Sequence, residues 1–256
     1  MGYMDFYSND SLFKNNGKFS AIDSLYNSNY YYPEPFTLLF RGTIKNTGSF
    51  LIDKPRSSNS CERAEEGAIY NYGKFEITQG SNCNFTEGSG QSNFIQDDGE
   101  LKVDGNFATH NTKINQGTIT GSGSIVGLNY FIGDKVTLSP GSPIGTLSVA
   151  IAADSLPGFS NAPAVCFRCS IDIELAGASL NDRLQVTNNS SLILYQWTLN
   201  VLLREGYVPH QGDSFDIIMA NAISEHSTPN YNLPKLPSGL NWDVYNNGTK
   251  ITLSVN

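Results

Sequence analysis

The sequence contains few charged residues and has no cluster of basic side chains. Charged residues make up 16% of its 256 residues, whereas an average soluble domain has about 25%. The formal net charge is -8, and the longest basic cluster is Lys54-Pro55-Arg56. Because proteins that bind nucleic acids need clustered lysine and arginine to neutralise phosphates, we expect no nucleic-acid partner.

Long apolar segments are also missing from the sequence. No run of 18 apolar residues occurs, and a transmembrane helix needs about 20, so we expect no membrane insertion. Residues 1–5 lack the charged start and the apolar block of a signal peptide. We interpret the chain as a mature or trimmed form of a secreted protein, because its composition is typical of secreted β-proteins.

The sequence shows no recognisable catalytic or metal-binding motif. Its three histidines, His110, His210 and His226, are not paired at a metal-ligand spacing. An HExxH helix motif, a GxSxG nucleophile motif and a GxxxxGK[ST] phosphate loop are all absent. We therefore predict no catalytic, metal or cofactor-binding residues.

One stretch of alternating charged residues is the strongest candidate for chemistry. It contains Asp98, Glu100, Lys102 and Asp104. Alternation places such side chains on one face of a strand, where two carboxylates can bind Ca²⁺ or act as an acid/base pair. The interpretation that we favour is a solvated outer face, with Leu101 and Val103 pointing inward.

The four cysteines are Cys61, Cys83, Cys166 and Cys169. An even number is typical of two disulfides formed in an oxidising compartment, and a zinc site or free thiols are the alternatives. Only Cys166 and Cys169 have CxxC spacing, without the βαβ context of a redox motif. We predict disulfides and leave their connectivity open.

The residues that are abundant indicate an all-β fold. Asparagine, serine, threonine and glycine supply most of the polarity, and glycine alone occurs 24 times. These residues favour turns and compete with helices. No long stretch has the apolar spacing of a helix, so we predict the all-β class.

An internal repeat predicts the architecture within that class. Gly, Ile, Asn, Gly, Phe and Ile recur in register, 25 residues apart, in two segments, and a looser third copy follows. The copies span 42–52, 67–77 and 93–103, with a weaker fourth copy at 117–125. Each copy is typical of two short strands joined at a corner.

A unit this small buries its apolar side chains only when copies stack on one another. The predicted fold is therefore a right-handed parallel β-helix with rungs of about 25 residues. Its interior would stack Ile44, Ile69 and Phe94, and its corner would carry an amide ladder of Asn46, Asn71 and Gln96. Cys61 and Cys83 would lie in adjacent rungs. A β-sandwich with similar hairpins is the alternative.

The chain divides into three predicted regions. Residues 1–40, in which we find no repeat, are interpreted as an N-terminal cap, and their Tyr30, Tyr31 and Tyr32 form a candidate ligand surface because tyrosines stack on sugars. Residues 41–150 are the repeat region. Residues 151–256 are a C-terminal β region that either continues the solenoid or forms a small sandwich.

Part of the sequence resembles the passenger β-helices of bacterial autotransporters. The most specific matching segments are Gly121-Ser122-Gly123-Ser124-Ile125 and Ser139-Pro140-Gly141-Ser142-Pro143-Ile144-Gly145-Thr146-Leu147, and the resemblance covers roughly residues 40–256. The corners Asn46-Thr47-Gly48 and Asn71-Tyr72-Gly73 also resemble the β-helical domains of fungal cell-wall adhesins. Both resemblances imply an extracellular or cell-surface location.

These observations predict a non-catalytic structural or adhesive module at or outside the cell surface. Its candidate partners are other copies of itself, or glycans or proteins of a surface or matrix. A carbohydrate-binding module and a polysaccharide-degrading enzyme built on a β-helix are the alternative functions.

Overall fold

A computed structural model of the protein describes residues 4–6, 12–22, 38–40, 43–53, 61–62, 67–86, 92–132, 135–141, 143–150, 163–204 and 206–256. These residues form 28 β-strands and their connections, and none of them lies in a helix. Nearly all strand pairs are parallel. The predicted all-β class is confirmed, and the stacked parallel sheets are compatible with the predicted β-helix.

The strands, numbered in chain order, form three ladders that the chain visits in a fixed cyclic order. We call one passage through the three ladders a repeat. The first and third ladders belong to one 16-stranded sheet, and the second ladder is a separate 10-stranded sheet. The long strands β13 (Asn106–Ile114) and β15 (Ser124–Ile132) join the first and third ladders, because each crosses the corner between them.

The remaining strand bounds follow this division. The first ladder also contains β2 (Leu12–Asn15), β5 (Thr43–Asn46), β8 (Ala68–Asn71), β11 (Asn93–Gln96), β18 (Ala164–Phe167), β22 (Ser191–Tyr195) and β25 (Ala222–Glu225). The second contains β3 (Lys18–Ile22), β6 (Ser49–Asp53), β9 (Lys74–Ile77), β12 (Glu100–Val103), β14 (Gly117–Gly121), β16 (Val136–Pro140), β19 (Ser170–Gly177), β23 (Thr198–Leu203) and β26 (Asn230–Asn232). The third also contains β7 (Cys61–Glu62), β10 (Asn82–Asn84), β17 (Thr146–Ala150), β21 (Arg183–Val186), β24 (Ser214–Met219), β27 (Trp242–Asn246) and β28 (Lys250–Val255).

Three short strands complete the description. β1 (Met4–Phe6) and β4 (Leu38–Phe40) pair with each other in a two-stranded parallel sheet. β20 (Leu180–Asn181) turns back antiparallel to β19 at the edge of the second ladder.

Period-two alternation explains why these segments are strands, because every second side chain faces the same interior. In β12, Leu101 and Val103 are fully buried, while Glu100 and Lys102 remain partly exposed. The predicted orientation of the charged stretch is thereby confirmed. Burial of an apolar side chain of this size stabilises the fold by about 1.5–3 kcal/mol.

Side chains stack along the ladders in the buried interior. Ile44 pairs in register with Ile69, and Ile69 with Phe94. All three are at most 1% exposed, so this predicted stack is confirmed. In the second ladder the ring of Phe50 stacks on that of Phe75 with centroids 4.9 Å apart. The interior is thus filled by stacked side chains.

The predicted amide ladder is also confirmed, and it begins one repeat earlier than predicted. Asn46 Nδ2 donates to Asn71 Oδ1 over 2.7 Å, and Asn71 Nδ2 donates to Gln96 Oε1 over 3.2 Å. Asn15 adds a further step by donating to Asn46 Oδ1 over 2.8 Å. The statement that residues 1–40 contain no repeat is therefore wrong.

The number of residues between stacked positions varies along the chain. It is 25 for the steps from Asn46 to Asn71 and from Asn71 to Gln96, and 31 for the step from Asn15 to Asn46. The spacing of about 25 residues therefore does not hold for every repeat. The weak fourth copy of the sequence repeat is displaced, since Ile119 pairs with Leu101 in the second ladder.

Glycine recurs at the corner after the amide ladder because the backbones there approach closely. A Cβ atom on Gly48 would lie 2.0 Å from the carbonyl oxygen of Gly17, and one on Gly73 would lie 2.2 Å from that of Gly48. Any side chain at these positions would force neighbouring repeats apart. The corner glycines are therefore required by stacking.

The chain ends in an antiparallel pair that covers one sheet edge. The three ladders continue in parallel through residues 163–232, whereas β28 pairs antiparallel with both β24 and β27. The turn between β27 and β28 lies against β25, where Ile223 N donates to Gly248 O over 2.7 Å. Covering an edge strand in this way hinders its pairing with other chains.

Candidate functional site

The predicted cysteine chemistry is confirmed for one pair. Cys166 and Cys169 form a disulfide with Cα atoms 5.6 Å apart, and both side chains are fully buried. Cys83 is also disulfide-bonded, and its strand pairs it in register with Cys61, as the repeat predicted. The part of the chain that the structure describes contains no free cysteine.

The candidate tyrosine surface cannot be located, because Tyr30, Tyr31 and Tyr32 lie outside the described residues. The histidines are dispersed. His110 Nδ1 lies 3.0 Å from the hydroxyl of Ser92, and His210 lies in a different part of the chain, beside Asp213. No group of three His, Cys, Asp or Glu side chains suited to a metal ion occurs among the described residues.

The charged residues of the second ladder form ion pairs with one another on its outer face. Lys102 Nζ lies 3.1 Å from Glu76 Oε1 and 3.2 Å from Asp104 Oδ2, and Lys74 Nζ lies 2.8 Å from Glu76 Oε2. Burial acts to raise the pKa of Glu76, but hydrogen bonds from Lys74 and Lys102 outweigh it and lower the pKa. A general acid needs the opposite shift, so Glu76 is unsuited to that role.

An open polar hollow of about 320 Å³ lies where the second ladder meets the third. It is lined by Gly80, Ser81, Asp104, Gly105, Asn106, Ser122, Gly123, Ser124 and Ser148. Asp104 already accepts a hydrogen bond from Ser122 N over 3.0 Å and contacts Lys102. The lining contains no aromatic or basic side chain, and its one carboxylate is engaged within the protein.

A row of aromatic rings lies on the corner between the first and second ladders in three consecutive repeats. The ring centroids of Phe167 and Tyr195 are 6.2 Å apart, and those of Tyr195 and His226 are 4.7 Å apart. Phe167 is 38% exposed, Tyr195 is half-buried and His226 is exposed. Phe167, Tyr195 and His226 form what we call the aromatic row.

An unusual backbone conformation follows two of these three rings. Arg168 and Gln196 follow Phe167 and Tyr195, and both adopt left-handed backbone angles, with φ of 53° and 49°. Left-handed conformations are uncommon for residues other than glycine and are costly unless the surroundings impose them. Here the Cys166–Cys169 disulfide spans the corner that carries Phe167 and Arg168. The corner is therefore held rigidly in place.

Planar polar groups lie beside the rings. Arg168 Nε donates to Gln196 Oε1 over 2.9 Å, and the Arg168 guanidinium lies 5.5 Å from the centroid of the Phe167 ring. These contacts orient one exposed side chain against the next along the ladder. Amide and guanidinium groups thus lie alongside the aromatic row.

A second row of polar side chains follows on the adjacent outer face of the second ladder. Asp172, Asn200 and Asn232 lie in register on three neighbouring strands. Asn232 Nδ2 donates to Asn200 Oδ1 over 2.7 Å, and Asn200 Nδ2 donates to Asp172 Oδ1 over 2.6 Å. We call these three residues the amide row, and together with the aromatic row they form the aromatic–amide surface.

The chemistry of this surface is that of recognition. An amide has two N–H groups and an oxygen with two lone pairs, so each asparagine of the amide row retains hydrogen-bonding capacity after bonding its neighbour. The aromatic row supplies apolar contact next to it. Such a combination offers directional and apolar contacts to one ligand.

This surface was not predicted from the sequence, although the sequence contains two signals for it. The CxxC spacing of Cys166 and Cys169 encloses Phe167 and Arg168, but the spacing alone predicts a disulfide and no binding surface. The alternation of apolar and polar residues within 170–175 is typical of an exposed strand face and does not by itself mark a binding surface. Neither signal identifies the residues that become neighbours across strands, because corresponding corner residues are 28 and then 31 positions apart in the sequence.

Comparisons with known proteins assign no family to the chain. No protein-family model matches it, and no curated protein sequence matches it. Within the described residues, no helix has the length and apolar character needed to cross a membrane.

Proposed function

We propose that the chain is a right-handed parallel β-helix that acts as a non-catalytic structural or adhesive module at or outside the cell surface. The observation that carries the architecture is the cyclic order of the three parallel ladders over successive repeats. Parallel strands of one sheet joined by crossovers are right-handed in about 98% of cases, which supports the handedness.

The filled interior supports a role for the outer faces. Phe50, Phe75, Leu101, Phe107 and Ile125 are at most 1% exposed, and stacked rings fill the space between ladders. A packed interior leaves the outside of the ladders as the surface on which a partner binds. Two disulfide-bonded sites, at Cys83 and at Cys166–Cys169, support an oxidising location.

The ion pairs of the second ladder support a non-catalytic role. Lys102 bridges Glu76 and Asp104, and its pairing with Glu76 favours the charged form of that carboxylate. Although burial acts to lower it, the pKa of Lys102 is raised overall, because its hydrogen bonds to Glu76 and Asp104 outweigh that opposing effect. The charged stretch near Asp98 therefore serves as an outer face stabilised by ion pairs.

The proposed function is tested by measuring adhesion of beads that carry the purified full chain. Immobilised polysaccharides and matrix proteins form the test panel, and beads carrying reduced and alkylated chain are the control. We expect retention on at least one surface and no release of sugar products from the polysaccharides. Product release, or retention no greater than that of the control on every surface together with a strictly monomeric chain, would contradict the proposal.

A further inference from the structure

We propose that the aromatic–amide surface binds a linear, uncharged polysaccharide that lies along the ladder axis. This inference rests on the proposed adhesive function and specifies its ligand class. The ligand would lie across three consecutive repeats, with the apolar C–H groups of its sugars against the exposed edges of the aromatic row, since Tyr195 and His226 are stacked on each other, and with hydroxyl groups against the amide row.

The two rows match the two kinds of surface that a sugar chain presents. A pyranose ring has an apolar face of C–H groups and an edge of hydroxyl groups. Phe167 is 38% exposed and tilted by 52° from Tyr195, so that part of its ring remains open to contact. Asn200 and Asn232 lie on the adjoining face with oriented amides. The rows therefore supply both contacts side by side.

Both rows run in the same direction because each follows the stacking of the repeats. Neighbouring strands in a sheet lie about 4.8 Å apart, so three repeats give a straight track about 10 Å long. Ring centroids 6.2 and 4.7 Å apart agree with one ring per repeat. A surface whose side chains recur at a regular spacing fits an extended polysaccharide whose sugar units also recur at a regular spacing.

The charge of the protein favours an uncharged ligand. The formal net charge is -8, and the amide row itself contains the carboxylate of Asp172, which accepts from Asn200. Arg168 places a positive charge beside the aromatic row, so charges of both signs lie at the surface, and an acidic polysaccharide would bring its carboxylates or sulfates close to Asp172. Like charges that lie near each other are destabilising, so neutral sugars are the better match.

The dimensions of the surface favour a chain over a protein partner. Asp172 lies five positions after Phe167, which is at most about 17 Å of extended chain. Together with the length of the track, this gives a surface on the order of 200 Å². A stable protein interface needs about 800 Å² from each partner. The surface is thus too small for a protein partner alone.

The disulfide is expected to increase affinity by holding the aromatic row in place. Cys166 and Cys169 flank Phe167 and Arg168, and Arg168 is in turn bonded to Gln196. Side chains that are already ordered lose less entropy when a ligand binds. Reduction of the disulfide should therefore weaken binding.

The test is affinity electrophoresis of the full chain in gels that contain soluble β-glucan, mannan or xylan, with alginate as an anionic probe. We expect retardation by at least one neutral polysaccharide and none by alginate. Tyr195→Ala and Phe167→Ala should each raise the dissociation constant about tenfold or more, and Asn200→Ala should raise it severalfold.

Tyr245→Ala is the matched control, because Tyr245 is 61% exposed and lies on β27, outside both rows. It should leave retardation unchanged. Phe167→Ala keeps the test decisive if Tyr195→Ala fails to fold, since the exposed ring of Phe167 lies outside the core. Melting curves establish which variants are folded.

The outcomes separate this inference from the proposed function. Binding to a neutral polysaccharide that survives Phe167→Ala and Asn200→Ala would overturn the surface and leave the adhesive function standing. Retention only on matrix proteins or only by alginate would overturn the ligand class. Absence of adhesion to every surface would overturn this inference, and together with a strictly monomeric chain it would contradict the proposed function as well.

Discussion

Replacement of Asn71 by leucine is expected to show how much the amide ladder stabilises the fold. Asn71 is fully buried, and its Oδ1 accepts from Asn46 over 2.7 Å. Its Nδ2 lies 3.2 Å from Gln96 Oε1 and 3.1 Å from both Gly73 O and Glu100 O. Leucine has nearly the same size and none of these groups, so the variant removes the hydrogen bonds while filling the space.

The expected cost follows from the partners that are left unpaired. Each buried donor or acceptor without a partner costs about 1–3 kcal/mol. Asn46 keeps its bond to Lys74 O at 3.0 Å, but it loses its amide acceptor, and Gln96 loses the donor to its Oε1. Asn71→Leu should therefore lower the free energy of unfolding by about 3–5 kcal/mol.

Urea denaturation followed by circular dichroism measures this change. The control is Asn106→Leu, which makes the same substitution at an exposed strand position and should change the free energy by no more than about 0.5 kcal/mol. If Asn71→Leu were as stable as Asn106→Leu, the ladder would contribute no specific stability and the reasoning would be refuted.

Three further predictions concern the core, the disulfide and a buried carboxylate. Phe75→Ala should cost about 3–5 kcal/mol in urea denaturation, because the ring is fully buried; a loss below about 1 kcal/mol would contradict the packed interior. The Cys166→Ala, Cys169→Ala double variant should lose about 2 kcal/mol, the amount expected for so short a loop, and an unchanged melting temperature would count against this. Burial raises the pKa of Asp182 to about 6, despite opposing N–H bonds from Glu174 and Gly145. Since the folded pKa lies above the unfolded one, the stabilising contribution is lost as pH rises through about 6. Wild type should therefore gain about 1 kcal/mol from this group between pH 7 and pH 5, a gain absent from Asp182→Asn; equal pH profiles of the two would refute the assignment.

The repeat made part of the fold predictable. Ile44, Ile69 and Phe94 were expected to stack because their surroundings recur at a constant separation, and a constant separation is visible in the sequence alone. Asn15 belongs to the same ladder, but 31 residues separate it from Asn46. Asn15 keeps the register of the ladder by pairing with Asn46, but the different separation hides the periodicity that would reveal it.

The candidate surface was less predictable than the core. Inward side chains share one requirement, which is to be apolar and to fit their neighbours, and they therefore repeat a recognisable pattern. Outward side chains such as Phe167, Tyr195 and His226 are under no such shared requirement, so they form no recognisable pattern in the sequence. Their proximity follows from pairings between strands that are far apart in the sequence.

The sequence by itself determined which residues face inward, because strand geometry alternates side chains between two faces and water drives the apolar ones inside. It also determined the corners at Gly48 and Gly73, where a side chain would meet the backbone of the preceding repeat. Only the tertiary structure decided which outward residues became neighbours. That choice depends on the lengths of the connections between ladders, which change the separation in sequence between stacked residues and leave no mark on the alternation within a strand.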